Sequence, residues 1–218
     1  MSYISLDSST SSTTVVVFNE DLSIQKKFQK EHQQIYTSEG FVEHDLEEIY
    51  NNLIELIKAA AEIAPDPQLI SITNQRETFT LFDKFTGKPV RNAVVWQCTR
   101  GEEICEKILN NKDHSELITQ KTGLKANTFF SASKLKWVIE NEPHIKEGLI
   151  KGNILFGTID TYLLYRLTKC KEYVTDTTNA SRTLLFNCID NRWDNELFSI
   201  LGHIKILRQQ LFALLNHG

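Results

Sequence analysis

The stretch that decides the fold is YISLDSSTSSTTVVVFNEDLSIQKKF, residues 3–28. Tyr3 to Asp7 alternates apolar and polar residues and ends on a carboxylate. Thr13 to Asn19 is β-branched and aromatic, and Leu22 to Phe28 alternates again. Such runs fit a pleated, half-buried surface, so each reads as a strand. Small hydroxyl residues, Ser8 to Ser12, separate the first two, and Asn19-Glu20-Asp21 the next two. The opening is therefore two antiparallel hairpins in a row.

Beyond the hairpins, Tyr36 to Asp45 reads as a loop with Gly40 and Phe41 in it. Asp45 is placed to cap a helix, with Glu47 and Glu48 in the first turn, where the helix dipole favours negative charge. Leu46, Ile49, Tyr50, Leu53, Ile54, Leu56 and Ile57 fall mainly on one helical face, and Pro65-Asp66-Pro67 ends the run. Leu69 to Thr73 reads as a compact buried strand and Phe79 to Asp83 as another. A Thr86-Gly87-Lys88-Pro89 turn and a short strand, Asn92 to Trp96, come next. Helices are expected over Arg100–Thr119, Ser131–Glu140, His144–Lys151, Asp160–Leu167 and Asp194–Leu201, with a strand at Ile154–Phe156. Strands first, then a helix, then a strand, describe an α/β fold: a mixed sheet flanked by helices.

The 218 residues suit one large domain or two small ones. A net charge of -4 gives no electrostatic reason for a nucleic-acid partner. Cys98, Cys105, Cys170 and Cys188 lack CxxC spacing and read as free thiols in a reducing compartment. The sequon Asn179-Ala180-Ser181 reads as coincidence. Met1 to Leu6 has no positive region or long apolar run, and no stretch approaches a membrane-spanning length. No membrane is expected, and a cytoplasmic location is.

Several stretches can carry chemistry. Asp7 followed by Ser8-Ser9-Thr10-Ser11-Ser12 can offer N–H groups and hydroxyls to phosphates, with Asp7 near a magnesium ion. A serine-rich surface turn is the more frequent meaning of such a run. Asn74-Gln75-Arg76-Glu77-Thr78 lies between two apolar runs, and Arg76 and Glu77 could bracket adjacent hydroxyls of a polyol. A surface ion pair fits those residues equally well. Trp96-Gln97 suits the carbon skeleton of a polyol, although a lone Trp is more often core. In Phe129–Trp137, Ser131 can cap a helix, Leu135 and Trp137 read as core, and Lys134 reads as solvated in preference to acid-paired. Asp176 to Thr183 is either a functional loop or one ordered by its own hydrogen bonds.

Taken in order, these segments resemble the FGGY carbohydrate kinase family, and its glycerol kinases in particular. The matching stretches are DSSTSSTTVVVF from Asp7, GFVEHD from Gly40, ITNQRETFTLFDKFTGKPVRNAVVWQ from Ile72, KTGLKANTFFSASKLKWVIENEP from Lys121, LFGTIDTYLLYRLTK from Leu155 and VTDTTNASRTLLFN from Val174. The three-strand opening with its hydroxyl turn is similar to the actin-like, ribonuclease-H-like ATPase fold. The resemblance implies transfer of the ATP γ-phosphate to glycerol with magnesium. It implies that Arg76, Glu77, Trp96 and Phe129 contact the substrate. It places Asp7, Thr10, Ser11 and Ser12 near the ATP phosphates, with Asp7 as the metal residue. A non-catalytic polyol-binding or regulatory module, and a kinase of another polyol or a ketose, are the other readings.

The chain departs from the family pattern at Ser9, where Gly is usual; at Thr14, where Arg is common; at Phe129, where glycerol kinases carry Tyr; and at Cys98-Thr99, where Asp-Arg is common. The catalytic residue is unassigned: the family's aspartate base lies in a Gly-Asp-Gln segment that does not occur here. The expected organisation is an incomplete N-terminal kinase domain over 1–202 and a divergent helical tail over 203–218. In that tail Ile204, Leu207, Leu211, Leu214 and Leu215 form an apolar stripe, which either covers core or, exposed, promotes self-association as a homo-oligomer.

Overall fold

A computed structural model describes residues 1–202, 207, 210 and 211. The chain runs through β1 (Ser2–Ser8), β2 (Ser12–Asn19), β3 (Ile24–Glu31), β4 (Gln34–Tyr36), β5 (Val42–His44), α1 (Leu46–Ile63), β6 (Leu69–Asn74), β7 (Phe79–Asp83) and β8 (Ala93–Val94). It continues through α2 (Glu102–Leu109), α3 (Lys112–Thr122), α4 (Ser131–Asn141), α5 (Pro143–Ile150), β9 (Ile154–Thr158), α6 (Ile159–Leu167), α7 (Thr177–Ala180), β10 (Phe186–Asn187), β11 (Arg192–Trp193) and α8 (Asn195–Ile200). It divides into two compact units, residues 1–35 with 44–75, and residues 36–43 with 76–218.

The first unit carries a mixed sheet in the order β3-β2-β1-β6. Both opening hairpins form as read: β2 pairs antiparallel with β1 and with β3. Period-two alternation buries Ile4 and Leu6 of β1 and Val15 and Val17 of β2 on the same side. Helix α1 covers them with Leu46, Ile49 and Leu53. Full burial of each such side chain contributes about 1.5–3 kcal/mol relative to exposure. Asp45 caps α1, its carboxylate accepting from the Glu47 N–H at 2.8 Å. The parallel pairing of β1 with β6 sets Asp7 beside Thr73 and Ser8 beside Asn74, so both strands end at one edge. β6 corrects one expectation. It stands last in its sheet, and Leu69 and Ile70 are 59% and 50% exposed rather than buried.

The second unit is built on the sheet in the order β4-β5-β8-β7-β9, whose first two strands contain two of the three points where the chain passes between units. β7 pairs antiparallel with β9 from Phe79↔Thr158 to Asp83↔Ile154. Its core gathers Phe79, Leu81, Val94, Leu135, Val138, Phe156, Leu185 and Phe198. The helix expected over Arg100–Thr119 is two helices. The chain turns at Asn110 and Asn111, and the Asn111 side chain caps α3 by accepting from the His114 N–H at 3.1 Å. Within the expected loop 36–45, Val42–His44 is a buried strand. Glu43 there pairs with Arg91 and Arg100, which gives GFVEHD a structural role. Of the apolar tail stripe, Leu207 and Leu211 are buried in this core, and Gln210 donates to the Ile154 carbonyl at 2.9 Å. Ile204, Leu214, Leu215 and the rest of the expected helical tail lie outside the described residues. No helix among the described residues is long and apolar enough to cross a membrane.

Two buried histidines brace the first unit. His32 Nε2 lies 3.2 Å from the Thr10 carbonyl and His44 Nδ1 lies 3.1 Å from the Gln33 carbonyl. A carbonyl only accepts, so those nitrogens carry the protons of two neutral rings. The other two nitrogens, His32 Nδ1 and His44 Nε2, are buried without a partner among the described residues. Burial pulls both imidazoles down, His44 to about 4, while Glu48 opposes the fall at His32. Unfolded histidines bind protons below about pH 6.5 whereas these do not, so their contribution to stability is complete above that pH. It is lost as pH falls toward about 4. Urea unfolding from pH 8 to pH 4 is expected to show this loss, and the double variant His32→Gln, His44→Asn, which keeps both carbonyl-bound donors, to lose less.

Candidate functional site

β6 gives way to β7 through Gln75-Arg76-Glu77-Thr78. The Thr78 N–H donates to the Arg76 carbonyl at 2.8 Å, which closes a three-residue γ-turn around Glu77. The φ of Glu77 is 66°, the left-handed region. This hand of γ-turn is rare for a residue with a Cβ, and holding it costs about 1–3 kcal/mol. The second unit over-determines the turn from three directions. Ser131 Oγ, at the first position of α4, donates to the Glu77 carbonyl at 2.9 Å. Arg182 Nε donates to Glu77 Oε1 at 2.6 Å, and its guanidinium lies 4.8 Å from the Phe130 ring centre. The Trp96 N–H, just past β8, donates to the Thr78 hydroxyl at 3.1 Å.

These contacts tie the Glu77 turn to Trp96, and Arg76 precedes Glu77 in the turn. Arg76 is exposed beside the half-buried Glu77. Trp96 packs partly on the core and meets Phe129 edge-to-face, with ring centres 5.8 Å apart. Phe129 is 50% exposed. The arrangement offers a fork of N–H donors, a carboxylate acceptor and an aromatic wall. That is the chemistry needed to hold adjacent hydroxyls on a short carbon skeleton. The sequence does not name Ser131 and Arg182 as partners of Glu77. Ser131, read as a helix cap, is instead the first residue of α4, where its hydroxyl serves Glu77 and caps nothing. Arg182 lies in the polar run from Asp176 to Thr183, which is ordered by Asp176 accepting from the Asn179 N–H at 2.7 Å and by the Arg182–Glu77 pair.

Lys134 corrects a second expectation. It is fully buried, not solvated, and its ammonium donates to the carbonyls of Thr128, Phe129 (2.8 Å) and Phe130 (3.0 Å). Burial pulls it down to about 7, and Cys98, Glu77 and Cys105 oppose that fall.

In the first unit, the hydroxyl turn is held by its carbonyls. That of Ser8 accepts from the Gln75 N–H at 2.9 Å and that of Ser9 from the Gln75 side chain at 3.3 Å. That of Thr10 accepts from His32 Nε2, and that of Ser11 from the His32 N–H at 3.1 Å. The Ser9 hydroxyl and N–H both go to the Ser12 carbonyl, at 2.8 and 3.0 Å. In a trans peptide the N–H of the next residue points opposite the carbonyl. Thr10, Ser11 and Ser12 therefore aim their N–H groups away from these donors. Asp7 is half-buried at the end of β1.

The pattern of the FGGY family of carbohydrate kinases, N-terminal domain, matches residues 2–215. The chain belongs to the FGGY family of carbohydrate kinases. Relatives of this FGGY chain include glycerol kinase 2 of Thermotoga maritima, 46% identical over 97% of the chain and 43% of the relative. Glycerol kinase of Shewanella piezotolerans is 45% identical over 91% of the chain and 41% of the relative. Among solved structures, Plasmodium falciparum glycerol kinase with ADP superposes with a TM-score of 0.88 at 38% identity, covering 93% of the chain and 41% of that structure. Gluconate kinase of Lactobacillus acidophilus, at 24% identity and a TM-score of 0.80 over 92% of the chain and 39% of that structure, shares the fold. The actin-like α/β fold expected from the opening hairpins is the fold of these kinases. The chain spans less than half the length of the curated relatives it matches.

The strain at Glu77 can be measured. Glu77→Gly removes the backbone penalty but also the Arg182 ion pair, whose two ends are 39% and 13% exposed and which contributes about 1 kcal/mol or less. The urea midpoint is expected to hold or rise, with stability within about 1 kcal/mol of the parent. A loss well beyond that would mean the turn is not strained.

Proposed function

We propose that this chain supplies the polyol-holding wall and a phosphate-facing turn of an ATP-dependent glycerol kinase. The observation that carries the reading is the clamped γ-turn at Glu77. A main-chain conformation this costly persists where surrounding contacts fix it, and such places cluster at ligand sites. Here it holds a carboxylate next to an exposed guanidinium and an aromatic wall. In this reading Arg76 donates to one glycerol hydroxyl and Glu77 accepts from its neighbour. Trp96 and Phe129 cover the carbon skeleton. Thr10, Ser11 and Ser12 turn their N–H groups toward ATP phosphates. The relatives' names support glycerol as the polyol and phosphoryl transfer as the reaction.

Magnesium fits the donors present. Among the described residues no three His, Cys, Asp or Glu side chains gather as a metal cage. Asp7 with its neighbouring hydroxyls offers one hard carboxylate, and magnesium is commonly held by one or two carboxylates, waters and phosphates. Asp7 would hold the ion through water, and the ion would neutralise charge building on the transferred phosphate. Holding glycerol in a fixed pose would lower the entropic cost of reaction, a positioning contribution of Arg76, Glu77, Trp96 and Phe129.

Calorimetric titration tests the substrate half of the reading. Glycerol is expected to bind saturably and weakly, with Kd of about millimolar order. Phe129→Tyr restores a phenol where glycerol kinases carry one and is expected to tighten binding by about threefold to tenfold, the worth of one hydrogen bond. Heat indistinguishable from buffer dilution, or an affinity unmoved by Arg76→Ala, would remove the polyol from this site.

A further inference from the structure

Lys134 sits where electrostatics disfavour it. It is the fourth residue of α4, at the helix end whose dipole repels cations, and it is fully buried. A buried charge of this kind is retained at a cost unless its donors are matched. Its three ammonium N–H groups are matched, and by an unusual set: the carbonyls of three successive residues, Thr128, Phe129 and Phe130. Three consecutive carbonyls converging on one nitrogen curl the segment around it. That segment carries the Phe129 ring, which meets Trp96. It also leads directly into Ser131, which holds the Glu77 carbonyl.

We infer that Lys134 is a positioning residue for the substrate wall: it fixes the backbone from which Phe129 hangs, without itself touching substrate. This rests on the reading that Phe129 and Trp96 cover the polyol. The ordering it supplies can nevertheless be read without any ligand. The amides that report on the segment are identifiable. The Phe129 N–H donates to Asn127 Oδ1 at 2.9 Å, the Phe130 N–H to the Asn127 carbonyl at 3.2 Å and the Ala132 N–H to the Thr183 carbonyl at 3.1 Å.

Methionine has nearly the length of lysine and no charge. In Lys134→Met the space stays filled and the desolvation cost disappears, but three carbonyls lose their donor and regain one only if the segment opens to water. Amide exchange on the full 218-residue chain should separate a local anchor from an ordinary core residue. Exchange over residues 127–132 is expected to quicken by about tenfold or more, with the rest of the chain unchanged and the thermal midpoint within a few degrees. Glycerol affinity is expected to fall by about fivefold or more. Unchanged exchange at 127–132 would overturn the inference, and so would quickened exchange throughout the chain with a lowered midpoint. If the parent chain binds no glycerol, the polyol reading fails at that step, and the exchange result still decides whether Lys134 fixes the segment. Should the Met variant not fold, Lys134→Gln, which keeps two N–H donors on a shorter side chain, is expected to give an intermediate quickening at the same amides; none would overturn the anchor.

Discussion

The γ-turn at Glu77 is the constraint on which the rest of the site depends. A residue with a Cβ at a φ of 66° is unfavourable in isolation, and the chain reaches it only because separate elements hold it there. The start of α4 binds its carbonyl, Arg182 binds its carboxylate, and the Trp96 N–H just past β8 binds the hydroxyl of Thr78, the next residue. The turn in exchange sets where β7 enters its sheet, and β7 organises that core through its pairing with β9. Strain, packing and side-chain display are thus one problem with one solution. Loosening any of the three holders should let the backbone relax out of the left-handed turn.

A second main-chain device in the first unit follows the same logic. The hydroxyl turn is shaped by donors on its inner side: Gln75 takes two carbonyls and His32 takes two more. Peptide planarity then directs the N–H groups of Thr10, Ser11 and Ser12 the other way. Ser9 stands where the family usually has Gly, and its own N–H and hydroxyl both go to the Ser12 carbonyl. Buried neutral histidines make this bracing sensitive to acid, because a second proton on either ring would find no acceptor among the described residues.

Much of the fold was legible because its signals are local. The alternation in Tyr3–Asp7, the β-branched run Thr13–Asn19 and the Asp45 cap each report on residues within one turn or one strand, and each formed as read. Burial of β6 was misread because an apolar run does not say how many neighbours its strand will have. The helix break at Asn110-Asn111 was missed although asparagine favours caps over helix interiors, and Asn111 caps α3. The partners of Glu77 were out of reach for a different reason: Ser131 and Arg182 lie 54 and 105 residues away, and nothing in their own neighbourhoods names the turn they hold. Lys134 was misassigned because propensity describes the average lysine, and this one is matched by three carbonyls that only the folded chain brings together.

The most direct test is a crystal structure of the chain grown with saturating glycerol. Adjacent glycerol hydroxyls are expected on Arg76 and Glu77, with the carbon skeleton against Trp96 and Phe129 and Glu77 still in its left-handed turn with Ser131 and Arg182 bound. Glycerol absent from that wall at saturation, or Glu77 relaxed to an ordinary backbone conformation with its carboxylate turned away, would contradict that arrangement.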